Sequence, residues 1–231
     1  MSQTALNLIA IAIFTMVMSV LLGPWLHISP FIPAIATFGL LSIATVDTLS
    51  WQGQGATLLV DWAARFSKEH RDRVLHHEAG HFLVAHLLQI PITGYTLSAW
   101  ESFRKGQPGL GGVSFGSDEL DAELAQGKLS DQLIDRYCTV WMAGSAAETL
   151  VYGTVEGGTD DRQKLLILWS QLRRPAEQGL LKERWALLQA KTLIETHRDA
   201  YDALVAAMEN RVSAEDCKQQ IEQHRIVSEG V

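Results

Sequence analysis

His77, Glu78 and His81 stand in the order His-Glu-x-x-His within an apolar stretch, Leu75 to Leu88, reading LHHEAGHFLVAHLL. This spacing constrains the fold of the chain more than any other feature. On a helix, residues four apart lie one turn up the same face, so His77 and His81 can both reach one zinc ion while Glu78 faces the water to be activated. A helix from about Lys68 to Gln89, closed by Pro91 after Ile90, is therefore expected at the centre of the domain. His76 and His86 lie on the same helix without the required spacing to a motif histidine and read as surface or core residues. Two histidines do not complete a zinc site. A third protein ligand must come from elsewhere in the chain.

The charge distribution divides the chain in two. All nineteen Lys and Arg lie at Arg65 or later, and the only acids before that point are Asp47 and Asp61. Ala5 to Leu22 is an uncharged apolar run close to the roughly 20 residues that cross a bilayer core. A second run, Phe31 to Val46, carries Pro33 and Gly39, which membrane helices tolerate, and Trp25 and Trp51 sit where aromatic belts are expected. The expectation is a membrane anchor of two transmembrane helices over residues 1–49. A linker with a possible interfacial helix follows over 50–66, where Leu58, Leu59, Trp62 and Phe66 recur at helical spacing. The domain is expected over 67–231. Arg65, Lys68, Arg71 and Arg73 follow the second run while the turn between the runs has no Lys or Arg. That bias places the domain on the cytoplasmic or stromal side of a two-pass integral membrane protein. The same charges flank the histidine motif too densely for a helix lying in lipid.

Within the domain, Ile92 to Leu97 and Val113 to Phe115, separated by a Gly- and Pro-containing loop, predict a small hairpin or edge sheet. Such an edge beside a zinc site can pair with an extended substrate backbone. From Asp118 onward the pattern is helical. Helices are expected over Ser130 to Tyr152 and Asp160 to Leu172, then a long one from Leu181 to Asn210 after a break at Gly179, then Ala214 to His224. The fold class is thus mainly α with a small β-sheet. Cys138 and Cys217 have no CxxC spacing and read as ordinary reduced thiols. A net charge of −7 without a basic block argues against nucleic acid as a partner.

The acids available as third ligand are Glu148, Glu156, Asp160 and Asp161, the last two where Gly157-Gly158-Thr159 enters a helix. HHEAGH at 76–81, AGSAAE at 143–148 and GGTDDRQKL at 157–165 together resemble the FtsH-type, or M41, zinc metallopeptidases, over roughly Val74 to Leu172. The resemblance implies a zincin-like peptidase domain with Zn2+ held by His77, His81 and Asp161. It also implies Glu78 as the base, Gly80 as a point of close helix approach, and Glu148 orienting an imidazole. Two positions depart from the pattern. Ser145 stands where the family has Arg, and Asp160 where it has Asn, so Asp160 competes with Asp161 for the metal. The family's ATPase module is missing, since no G-x-x-x-x-G-K-[ST] occurs and no ATP binding by this chain is expected. The implied activity is that of a membrane-anchored, ATP-independent endopeptidase with protein or peptide substrates and the lipid bilayer as its surroundings. Association as a homo-oligomer or beside a partner ATPase is compatible with it. The alternative is a catalytically silent scaffold or assembly factor.

Overall fold

The computed structural model describes residues 3–23, 25, 29, 31–32, 35, 38–39, 67–104, 111–126 and 129–228. The chain divides into two compact units. The first takes residues 1–68 together with 98–110, and the second 69–97 with 111–231. In the first unit, helix α1 runs Gln3–Leu22, and Phe14, Val20 and Leu21 on it are exposed.

Among the described residues, no helix is long and apolar enough to cross a membrane. A span takes about 20 predominantly apolar residues in one helix. The second apolar run, Phe31 to Val46, lies for the most part outside the described residues, as does the whole of 50–66 with its expected interfacial helix. The two transmembrane helices, and the two-pass integral placement built on them, are corrected accordingly.

Among its described residues the second unit is mainly helical with one two-stranded sheet, as the sequence pattern predicts. Helix α2, Lys68–Leu87, carries the histidine motif, and Ala79 to Ala85 are buried without interruption. It ends in a Schellman motif. Gln89 adopts φ 57°, its N–H donates to the His86 carbonyl at 3.1 Å, and the Ile90 N–H donates to the Ala85 carbonyl at 2.9 Å. Pro91 then prevents the helix from continuing. Strands β1, Ile92–Thr96, and β2, Gly112–Phe115, pair antiparallel with a register shift between Ile92 and Gly94. The short helix α3, Ala99–Arg104, intervenes between the strands and belongs to the first unit.

After α4, Asp118–Ala125, comes the central helix α5, Asp131–Tyr152. Its N-terminus is capped by the Ser130 hydroxyl, which accepts from the Leu133 N–H, and its C-terminus is closed by Gly153 at φ 73°. Helices α6, Thr159–Gln171, and α7, Ala176–Thr196, both pack on it, and α7 buries Ala186, Ala190 and Ile194. Helices α8, Arg198–Glu209, and α9, Ala214–Ser228, form a pair whose buried residues include Tyr201, Leu204, Met208, Cys217 and Ile221.

Two expectations for this region change. Gly179 does not break a helix but lies inside α7, where an added Cβ would meet the Trp169 ring at 3.0 Å; it is small because the α6 indole sits against it. The stretch from Leu181 to Asn210 is not one helix, because the chain leaves helical geometry at His197 (φ −111°, ψ 42°) and restarts as α8. Cys138 and Cys217 are free and buried, and burial pushes the Cys138 thiol up to about 12.

Candidate metal centre

The centre is built where α2 crosses α5, and small residues permit the crossing. A Cβ on Gly80 would lie 2.6 Å from the Ala143 carbonyl oxygen and 2.7 Å from the Ala147 Cβ. One on Gly144 would lie 2.3 Å from His77 Nε2. The AGSAAE stretch is therefore the floor on which the His77 ring rests. The turn before α6 closes the third side. A Cβ on Gly157 would fall 2.7 Å from Glu148 Oε1, and one on Gly158, at φ 80°, 2.3 Å from Ser145 Oγ. Only glycine allows that turn to lie directly on α5 and aim the first turn of α6 at the histidines.

His77 Nε2 and His81 Nε2 are 3.1 Å apart, and Asp161 Oδ2 is 3.4 Å from the first and 3.1 Å from the second. His77 and His81 are buried, and Asp161 is partly so. These three can hold a metal ion. Asp160, although adjacent in sequence, is exposed. Successive residues on a helix point in directions about a quarter-turn or more apart, so only one of the two acids can face the histidines.

The donor chemistry fits a cation. His77 Nδ1 donates to Glu148 Oε1 at 2.7 Å and His81 Nδ1 donates to the Val140 carbonyl at 2.7 Å. With both Nδ1 atoms acting as donors, the two Nε2 atoms of neutral rings present lone pairs to each other and to a carboxylate. Such an arrangement is repulsive without a positive charge at its centre. For nitrogen and oxygen ligands about 2.0–2.1 Å from zinc, a tetrahedron has edges of about 3.3 Å, close to the three separations observed. Without metal, a proton supplies the charge. Burial works against charged His77, but its hydrogen bonds to Asp161 and Glu148 outweigh burial and raise it to about 10. Burial likewise opposes ionised Asp161, yet His81, His77 and Lys164 hold its carboxyl far below the usual range.

Glu148 is not a ligand. Its buried carboxylate accepts from His77 Nδ1, from Arg73 Nη1 at 3.1 Å, and from the backbone N–H groups of Glu156 at 2.8 Å and Gly157 at 3.1 Å. Burial would raise it, but these donors, His77 first, lower it to about 2. Glu156 is mostly exposed and pairs with Arg73. Glu78 is half-buried, and its Oε2 accepts from the Val113 N–H of β2 at 2.9 Å. His76 and His86 stay outside the centre, as expected. His76 hydrogen-bonds Tyr201 Oη at 3.0 Å, and His86 contacts Glu222 at 2.6 Å.

Three participants are not singled out by sequence reasoning. The Val113 N–H and the Val140 carbonyl are main-chain groups with no sequence signal. Arg73 did carry one, since it lies four residues before His77 and hence one turn below it on the same helix face. No protein-family model matches the chain, and no curated protein matches it.

Proposed function

We propose that the chain is a zinc metalloendopeptidase that hydrolyses peptide bonds in unfolded, extended protein segments. The observation that carries the reading is the convergence of two imidazole nitrogens and one carboxylate oxygen at tetrahedral separations, with a carboxylate, Glu78, beside the first ligand on the same helix. Zinc bound there supplies Lewis acidity toward a water molecule and the peptide carbonyl. Glu78, steadied by the Val113 N–H, takes the proton of the attacking water and passes it to the departing amine. Glu148 and the Val140 carbonyl keep the two rings turned with Nε2 inward.

The edge of β2 that offers Val113 N–H to Glu78 borders the site. An extended peptide laid along such an edge is held through main-chain hydrogen bonds with little side-chain preference, which favours chains already unfolded. The ordered motifs that resemble those of FtsH-type peptidases support the same reaction. The sequence has no phosphate-binding loop, so the reading is of hydrolysis without ATP bound by this chain.

The test is zinc content and cleavage of fluorescently labelled casein by the purified chain, compared with Glu78→Gln. Loss of a general base removes about 10²–10⁴-fold in rate. The variant should retain zinc at wild-type stoichiometry and lose at least about a hundredfold in cleavage. Equal rates in the two proteins, or a zinc-loaded wild type that cuts nothing, would refute the proposal.

A further inference from the structure

Arg73 enters the sequence reading only as one of several flanking positive charges, yet it is 8% exposed. Its Nη1 donates both to Glu148 Oε2 at 3.1 Å and to the Thr154 carbonyl at 3.0 Å. Its Nη2 pairs with Glu156 Oε1 at 3.3 Å, and the guanidinium lies 4.4 Å from the centroid of the Tyr152 ring. These partners lie on the end of α5 and on the turn that follows it. That turn leads through Gly157 and Gly158 into the first turn of α6, where Asp161 sits. Arg73 itself is one turn below His77 on α2. One planar cation thus touches, or is continuous with, every segment that delivers a metal ligand, and it touches no ligand itself.

We infer that Arg73 is a positioning residue for the metal centre, acting through the Glu148 carboxylate and the 154–156 turn. The guanidinium occupies one side of Glu148 Oε2 and so leaves Oε1 aimed at His77 Nδ1, fixing the tilt of that ring. The same group pins the Thr154 carbonyl, which limits how far the turn carrying Asp161 can swing from the histidines. A lysine does not replace it. The ammonium is a compact point charge that lacks the fork geometry needed to serve Glu148, Thr154 and Glu156 at once while stacking on Tyr152. The inference rests on the metal-centre part of the proposed function and is independent of whether the bound metal cuts peptides.

The experiment is zinc affinity of the full chain, measured by competition with a chromophoric chelator, for wild type, Arg73→Met, Arg73→Lys and Arg174→Met. Arg174 is the control, since it likewise pairs with an acid, Asp131 at 2.8 Å, and lies over an indole, Trp169, but outside the centre. Removing a partner that orients a ligand costs about 10–100-fold in metal affinity. Arg73→Met should weaken zinc binding by about that factor. Arg73→Lys should weaken it by roughly tenfold, and Arg174→Met should leave it within twofold of wild type. If Arg73→Met fails to fold, Arg73→Lys decides. Zinc affinity within twofold of wild type in a folded Arg73 variant overturns the inference, as does an equal loss in Arg174→Met. A chain that binds zinc with the expected ranking yet cleaves nothing overturns the peptidase reading and leaves the Arg73 inference standing.

Discussion

Gly144→Ala separates the stability of the helical core from the integrity of the metal centre. In an ordinary helix interior the change is favourable by about 1 kcal/mol, because Ala restricts the unfolded backbone and Gly does not. Gly144 is mid-helix in α5, so that gain applies. Against it stands the His77 ring. The new methyl would lie 2.3 Å from Nε2 and 2.5 Å from both Cδ2 and Cε1, about 1 Å short of ordinary contact. The contact is with a side chain that can rotate, unlike the main chain that Gly80 meets. The ring must yield, and because it is buried and hydrogen-bonded to Glu148 the net cost should be about 1–3 kcal/mol. Yielding by about 1 Å takes Nε2 well beyond the roughly 0.2 Å tolerance of a metal–ligand distance and pulls Nδ1 away from Glu148. The expected outcome is a folded protein with near-native circular dichroism and a zinc affinity lowered by at least about a hundredfold. Thermal unfolding should rise on adding zinc to the wild type and not in the variant. Undiminished zinc affinity in folded Gly144→Ala would show that His77 is not held against α5 as described.

Zinc binding should be linked to pH through His77. Its folded value without metal is raised above the ordinary 6.5 to about 10, so its contribution to metal-free stability is full below pH 6.5 and is lost as pH rises through 10. Zinc must displace that proton. Apparent zinc affinity should therefore rise about tenfold per pH unit from 7 to 9, with close to one proton released per ion in calorimetry across buffers of different ionisation heat; a pH-independent affinity would contradict this. Gly112→Ala addresses Glu78, the proposed base, instead of the metal. Gly112 adopts φ 124°, and an added Cβ would lie 3.3 Å from Glu78 Oε2. Strain at that position should disturb the β2 edge holding Glu78 and lower kcat by roughly 10–100-fold, with zinc affinity unchanged. Wild-type kcat in the folded variant would remove β2 from any part in placing the base.

Much of the helical layout was legible because it depends on short-range pattern. Pro91 and the Leu/Ala/Val run around the motif mark α2, and Gly153 to Gly158 marks the gap between α5 and α6. Gly179 was misleading because a glycine looks the same in sequence whether it ends a helix or clears space for a neighbour. The indole of Trp169, ten positions earlier, is what makes it the second. The apolar residues near the N-terminus invited a membrane reading from composition, and among the described residues no helix is long and apolar enough to cross a membrane.

The metal centre divides along the same line. Helical periodicity is a property of the backbone, so the four-residue spacing of His77 and His81 already places both rings on one face of α2, while Gly80 as a point of close approach came only from the resemblance to FtsH-type peptidases. No local rule chooses among Glu148, Glu156, Asp160 and Asp161. That choice comes from the packing of α2 on α5 at Gly80 and Gly144, and from the turn at Gly157 and Gly158 resting on Glu148 and Ser145. Those contacts turn Asp161 inward and Asp160 outward, bury Glu148 behind His77, and convert Arg73 from a flanking charge into the clamp behind the site. Such assignments depend on which surfaces meet across some 60 to 90 positions of chain, and spacing within one helix carries no information about that.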